Sequence, residues 1–194
     1  MILSRSLQQL YAATIDRSKF RETAQRILVF ILPFFYWGRE RQWWGFSFVI
    51  AGVLIRAWAA GYLKKDQNMA ATGPYLFVRH PLYLGSCLLA LGLIVTLDHW
   101  IATLVLGGVT ALTYTHTIRH EEKNLKSRFG VPYVNYCMQV GPIWPKPDGL
   151  KRLLSSRTSG GSFSLQQYLK NKEFECLLGV VVVFVILYLG APVR

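Results

Sequence analysis

The chain has 194 residues, of which 52 % are hydrophobic and only 16 % charged, with a mean hydropathy of +0.28. A soluble domain carries about 25 % charged residues, so this composition excludes a disordered chain and argues against a water-soluble enzyme. Lys and Arg outnumber Asp and Glu by 22 to 10, a formal charge of +12. Such a surplus marks either a nucleic-acid partner or loops that face anionic lipid and the cytoplasm.

In chain order, Ile2 to Ile15 places apolar residues near helical spacing and predicts an interfacial helix within an N-terminal segment, residues 1–22. Met1–Arg5 is not expected to open a cleavable signal, because no long apolar run with a small-residue cleavage site follows. Five apolar stretches come next. Ile27 to Trp37 is short for a hydrocarbon core of about 30 Å; it either extends back through Ala24 or dips as half of a hairpin. Trp43 to Leu63 is interrupted only by Arg56. Leu82 to Leu97 and Trp100 to Ile118 are separated by Asp98-His99, which predicts a tight turn between antiparallel helices. Phe174 to Val193 contains four consecutive valines, yet its length favours a spanning helix over a strand. Between the last two stretches, residues 149–167 include a Ser/Gly cluster of flexible-linker composition.

Basic residues choose the orientation. With the N-terminus in the cytoplasm and five alternating spans, eighteen of the 22 Lys and Arg residues fall on the cytoplasmic side, as the positive-inside rule asks. The charge surplus is then topological, and nucleic acid drops out as a partner. The fold class read from the sequence is an all-α, polytopic membrane bundle of about five helices, a single domain over 1–194, with a cytoplasm-facing functional region.

Two polar segments carry the chemistry. The first ends in Arg79-His80-Pro81-Leu82-Tyr83-Leu84-Gly85. Pro81 suits the first helical position, where no N–H is lost, so the next amides, those of Leu82, Tyr83 and Leu84, are expected to point back at the loop and suit a carboxylate or phosphate. The bland alternative is that Arg79 snorkels and His80 merely caps. The second segment is Arg119-His120-Glu121-Glu122, followed by Gly130 and Pro132, which predict the end of a helix that continues out of the fourth stretch. Its bland alternative is a solvated helical face. Arg56 must face the bundle interior or a cavity, since lipid exposure is costly; there it could pair with a carboxylate or a substrate acid, or equally snorkel, being about two turns from Lys64. His116 and His120 share a helical face but lack the HExxH order and a third ligand, so no metal site is expected. Cys87, Cys137 and Cys176 include no CxxC pair, which argues against a disulfide framework or zinc ribbon. No glycine-rich phosphate loop follows a strand and no GxSxG elbow occurs, which excludes a soluble Rossmann enzyme by pattern.

Gly73-Pro74-Tyr75, then Arg79-His80-Pro81-Leu82-Tyr83-Leu84-Gly85, then Glu121-Glu122, Leu125, Phe129-Gly130, Tyr133, Tyr136 and Pro142 together resemble the isoprenylcysteine carboxyl methyltransferase and phospholipid methyltransferase superfamily. The likeness covers about residues 43–145. It implies an integral membrane enzyme that uses S-adenosylmethionine, yields S-adenosylhomocysteine, and admits a lipidic or prenylated acceptor from the bilayer. By that resemblance the cofactor contacts are Gln67, Asn68, Met69, Ala70, Tyr75, His80, Pro81, Leu82, Tyr83 and Glu121. Arg56 or Arg119 would meet an acidic acceptor, while Glu122, His120 or His80 would take a proton from an amine. There are departures: Thr117 stands where the carboxyl methyltransferases carry a substrate-facing arginine, and Ala60 where a glutamine is expected. Carboxyl O-methylation of an isoprenylcysteine-type acceptor is the leading expectation. Phospholipid N-methylation, a membrane reductase of related architecture and a non-catalytic adaptor are the alternatives.

Overall fold

The computed structural model describes residues 42–63, 69–155 and 162–190. The expected interfacial helix, the first apolar stretch, Gln67, Asn68 and most of the Ser/Gly cluster lie outside them. All regular structure among the described residues is helical; the nearest thing to a strand is an isolated parallel bridge between Val78 and Gly141. The chain divides into two compact units, residues 41–181 and residues 1–40 with 182–194. Of the second unit only Val182–Gly190 is described; it continues the last helix, with Val183 and Leu187 buried.

In the larger unit a single 3-10 turn, Trp43–Gly45, leads into helix α1, Phe46–Tyr62. Helix α2, Pro81–Leu97, begins at the proline, as the fixed φ of that ring favours. It stops where Asp98 turns left-handed, with φ 44°. Helix α3, Trp100–Phe129, restarts at once because His99 Nδ1 accepts from the Ile101 N–H at 3.2 Å. The Asp98-His99 hairpin is therefore a pair of local caps. Gly130, with φ 59°, ends α3 behind Lys126 and Arg128 in the last turn, where cations suit the helix dipole.

The chain does not leave helical structure at Pro132. Helix α4, Val131–Gln139, starts immediately, with the proline in its first turn. Proline breaks a helix interior but initiates one readily. Helices α5, Gly149–Ser155, and α6, Leu165–Lys170, occupy parts of the segment given linker composition. Helix α7, Phe174–Leu189, closes the described chain.

Among the described residues, two helical runs are long and apolar enough to cross a membrane, Trp43–Tyr62 and Trp100–Phe129, and two shorter helices, α2 and α7, are also apolar. These runs are not core helices of a soluble protein. Only 33 % and 17 % of their apolar windows are buried, and side chains such as Leu54 and Leu112 point outward at 63 % and 76 % exposure. Exposed apolar surface on that scale needs lipid or a partner to cover it.

The most extensive helix pairing is α1 against α2, and small residues set its distance. Gly45, the N-cap of α1, then Gly52 and Ala59 within it recur every seven residues, as do Gly85 and Gly92 on α2. A Cβ on Gly52 would lie 2.7 Å from the Gly85 carbonyl oxygen, and one on Gly85 would lie 2.8 Å from that of Gly52. Gly45 and Gly92 repeat the reciprocal approach at 2.6 and 2.8 Å. Between helices in lipid, close backbone packing of this kind replaces the missing hydrophobic drive. The far end of α1 is closed by the returning chain: Asn171 Nδ2 donates to the Ala60 and Leu63 carbonyls at 2.8 and 2.9 Å.

Gly52→Ala is expected to destabilise the protein by about 1–3 kcal/mol, because the methyl would meet the Gly85 carbonyl oxygen at 2.7 Å and the Leu89 backbone nitrogen and Cγ at 3.1 Å. Gly108→Ala, whose Cβ would meet nothing within 4 Å, is expected to be neutral or stabilising by up to about 1 kcal/mol. Thermal unfolding of both variants in detergent checks this; equal shifts would contradict the packing account.

Candidate active site

The two polar clusters, 43 residues apart in sequence, meet in space. The chain between Thr72 and Pro81 is fixed first by Gly73, whose φ of 58° favours glycine and whose Cβ would lie 2.5 Å from the Tyr62 ring, and by the 3-10 turn Gly73–Leu76. It is then held by the segment after α4. The Arg79 N–H donates to the Gly141 carbonyl at 2.8 Å and the His80 N–H to that of Pro142 at 3.0 Å. The Tyr136 hydroxyl donates to the Tyr75 carbonyl at 2.6 Å.

Arg79 does not snorkel. Its Nη2 and Nε both donate to Glu122 Oε1 on α3, the latter at 3.1 Å. Its Nη1 donates to the Cys137 and Val140 carbonyls at 3.2 and 2.9 Å. The first of these satisfies the last turn of α4, the second its C-cap. With 10 % of the side chain exposed, the guanidinium ties the entry of α2 to both α3 and α4.

His80 follows, its side chain 4 % exposed. Nε2 lies 3.3 Å from Glu122 Oε1 and Nδ1 lies 3.8 Å from Glu121 Oε2. Burial pushes the imidazole pKa below its ordinary value; the two carboxylates oppose that shift, and Arg79 reinforces it. The ring is therefore neutral at pH 7 and has one proton to place. With that proton on Nε2 towards Glu122, Nδ1 becomes an acceptor facing the Glu121 carboxylate. Two acceptors at that distance call for a shared donor, which neither residue supplies.

Around this pair the lining is aromatic and incompletely satisfied. Tyr83 stacks at a tilt between His80 and Tyr114, with ring centroids 5.6 and 5.2 Å apart. The buried hydroxyls of Tyr75 and Thr117 lack a hydrogen-bond partner among the described residues. Burial first, then the charge of Glu121, pushes the Tyr75 pKa above its ordinary value, so it remains a neutral donor. Tyr133 and Tyr136 are likewise pushed up by burial. Pro81 is fully buried, Leu82 and Tyr83 are half-buried, and Met69 and Ala70 run half-buried on the approach to the turn. His80 provides no side-chain cap for α2, so the positive end of that helix is not occupied by its own N-cap residue.

Other sequence-predicted residues lie elsewhere. Arg119 and His120 are on the exposed face of α3, where His120 Nδ1 is 3.2 Å from Asn124 Nδ2. Arg56 is held within the larger unit by Glu173. Its Nε and Nη2 meet both carboxylate oxygens at 2.7–3.1 Å, and Nη1 donates to Ser86 Oγ and to the Leu82 carbonyl. Sequence reasoning missed Glu173 as that partner. A lone arginine inside an apolar helix calls for a carboxylate at membrane depth, and Glu173, directly before the last apolar run, was an available signal. Among the described residues no group of His, Cys, Asp and Glu is arranged to hold a metal.

Residues 46–131 match the family model described as phospholipid methyltransferase. Curated relatives include a cobalt-zinc-cadmium resistance protein, CzcN, of Cupriavidus metallidurans, 33 % identical over 93 residues, 47 % of this chain and 43 % of the relative. The protein-S-isoprenylcysteine O-methyltransferase of Schizosaccharomyces pombe is 33 % identical over 94 residues, 48 % of this chain and 40 % of the relative. The protein-S-isoprenylcysteine O-methyltransferase B of Arabidopsis thaliana is 28 % identical over 122 residues, 55 % and 62 % respectively. The chain thus spans less than two thirds of the length of each. No solved structure matches. The resemblance carried by the two motifs is borne out: over this segment the chain is similar to the isoprenylcysteine and phospholipid methyltransferase superfamily.

The lowered His80 pKa fixes the sign of a pH effect. Between the depressed value and about pH 6.5, the ordinary value, the unfolded chain binds a proton that the folded chain refuses. This part of the stability is complete above that window and falls as pH drops through it. His80→Gln is expected to flatten the decline of the unfolding temperature between pH 7.5 and 5; parallel curves for the two proteins would contradict a buried neutral His80.

Proposed function

We propose that the chain is an integral membrane methyltransferase that uses S-adenosylmethionine, releases S-adenosylhomocysteine and acts on a lipidic acceptor, with isoprenylcysteine-type carboxyl O-methylation as the reaction. The observation that carries this reading is the His80–Glu121 pair, with Nδ1 3.8 Å from Oε2, together with the unpartnered Tyr75 and Thr117 hydroxyls, all within the methyltransferase-like segment. In the same reading five helices cross the bilayer with the N-terminus and both polar segments in the cytoplasm, supported by the distribution of basic residues.

The residues present suit such a cofactor. His80 and Glu121 would hold its ammonium group, and the N-terminal amides of α2, that of Leu82 among them, would face its carboxylate. Tyr75 and Thr117 have hydroxyls left for its polar groups. Pro81 shapes the turn beneath it, Gln67, Asn68, Met69 and Ala70 would flank it, and the Tyr83 and Tyr114 rings offer π faces to a sulfonium. When bound, S-adenosylmethionine supplies a methyl group already activated by that sulfonium. The chain has then to align the acceptor, exclude water and leave the nucleophile unprotonated.

The state of the nearby bases favours a carboxylate acceptor. A carboxylate arrives deprotonated, whereas an amine must lose a proton. His80 has a weakened hold on protons, Glu122 is committed to Arg79, and His120 is on the exposed face. Arg119 and Arg56 remain the cations proposed to meet the acceptor, Arg56 only where Glu173 yields one of its hydrogen bonds.

Calorimetric titration of the detergent-solubilised protein with S-adenosylmethionine and S-adenosylhomocysteine is expected to give saturable micromolar binding, with no heat from NADPH. His80→Ala and Glu121→Ala should each weaken binding at least tenfold, about 1.4 kcal/mol. Binding of NADPH alone would turn the assignment to a reductase, and unchanged affinity in both variants would overturn the site.

A further inference from the structure

A second cavity lies at the end of α2 away from His80. It measures about 370 Å³ and is enclosed between the 3-10 turn ahead of α1 and the Asp98-His99 hairpin. That volume is within the range of small-molecule sites, about 300–1,000 Å³. The 17 residues of α2 rise about 24 Å, so the whole helix separates this cavity from the His80 cluster. Two contacts set its walls. The Gln42 N–H donates to the Thr96 carbonyl at 3.0 Å, and a Cβ on Gly45 would lie 2.6 Å from the Gly92 carbonyl oxygen. Trp44 is thereby held beside the last turns of α2, braced by Phe48 with ring centroids 6.1 Å apart. On the other side Trp100 opens α3 and stacks on the His99 ring, centroids again 6.1 Å apart. Ile94 and Val95, both half-buried, add apolar surface between them.

The charge in this cavity is negative. Asp98 is exposed at φ 44°, and its carboxylate has no hydrogen-bond or ion-pair partner among the described residues. Among the described residues no lysine or arginine lines the cavity. His99 adds no positive charge, because its Nδ1 accepts from the Ile101 N–H at 3.2 Å, and a ring nitrogen that accepts carries no proton. Two indoles, an apolar wall and an unpaired carboxylate match an organic cation. A primary ammonium brings three N–H groups that each need a directed acceptor, and the Thr103 hydroxyl is already engaged with the His99 carbonyl at 3.1 Å. A quaternary ammonium has no N–H to satisfy; π faces, apolar contact and a nearby negative charge are enough for it. Trp at the end of a membrane helix stands at headgroup depth, where such cations are concentrated.

We propose that this cavity binds a quaternary ammonium group of the choline type, seated against Trp44 and Trp100 with Asp98 as counter-ion. The site is separate from methyl transfer and does not rest on that reading. Free choline and the headgroup of phosphatidylcholine present the same group, and the test separates them.

Choline is titrated calorimetrically into the whole protein in maltoside detergent, beside dimethylbutanol, its uncharged carbon isostere. Saturable binding of choline and none of dimethylbutanol is expected. Asp98→Asn and Trp100→Leu should each weaken choline binding at least about fivefold. Asp148→Asn, which removes an exposed carboxylate elsewhere, should leave it unchanged. Asparagine tolerates the left-handed backbone, so Asp98→Asn keeps the hairpin, and its unfolding temperature without ligand checks this. A second arm compares unfolding temperatures in phosphatidylcholine and phosphatidylglycerol micelles, since a ligand of the folded state raises stability. A gain with phosphatidylcholine alone, lost in Asp98→Asn, assigns the site to a lipid headgroup. Equal gains with both lipids, beside a gain from free choline that Asp98→Asn loses, assign it to a solute. Equal affinity for dimethylbutanol would overturn the proposal by making the cavity merely apolar. So would an absence of choline binding, or choline binding that survives both cavity variants. Loss of binding in Tyr83→Leu but not in Trp100→Leu would also overturn it, by moving the cation to the tyrosines beside His80.

Discussion

The site depends on one side chain that the two motifs do not reveal as a pair. Arg79 spends its donors on Glu122 of α3 and on two carbonyls at the end of α4. Three segments that would otherwise end in unsatisfied polar groups thereby share one charged fork. At 10 % exposure the guanidinium is largely out of water, so its hydrogen bonds are strong and its loss leaves a carboxylate and backbone oxygens unpaired. His80, the next residue, takes its position from that arrangement. Its N–H is fixed to Pro142, its ring lies between Glu121 and Glu122, and its neutral state follows from burial beside an ion pair that is already balanced.

The frame that carries this clamp is the α1–α2 pair. Glycines in heptad register let the backbones touch, and the same closeness brings Arg56 alongside Gly85, within reach of Ser86 and the Leu82 carbonyl in the first turns of α2. Glu173 then neutralises Arg56 from beyond α6. A charge inside an apolar helix becomes tolerable because both of its ends are answered, one by α2 and one by the chain that enters α7. The result couples the entry of α2 to the entry of the last helix without using a residue of the His80 cluster.

What was legible in the sequence was local chemistry. Pro81 as a helix start, Asp98-His99 as a hairpin and Gly130 as a helix end each depend on a few adjacent residues, and each stands where the pattern put it. The membrane character was legible from composition, and the exposed apolar faces of α1 and α3 agree with it. Pairings across long sequence gaps were not. Glu122 meets Arg79 across 43 residues and Glu173 meets Arg56 across 117, distances over which neither periodicity nor capping carries information. The restart of helix at Val131 was hidden by reading Pro132 as a stop, although proline is as good an opening residue as it is a poor interior one. Arg119 and His120 are exposed on α3 while Glu121 and Glu122 are half-buried; successive residues turn by about 100° around a helix, so a charge run of four straddles the boundary between its two faces.

The claim most exposed to a single experiment is that the Arg79–Glu122 pair builds the ligand site as well as stabilising the fold. S-adenosylhomocysteine affinity measured for Arg79→Met, Glu122→Met and the double variant forms a double-mutant cycle. The account predicts that each single change weakens binding and that the double variant is no worse than the poorer single, a coupling of at least about 1.5 kcal/mol. Additive losses, or singles that bind as the parent does, would contradict it.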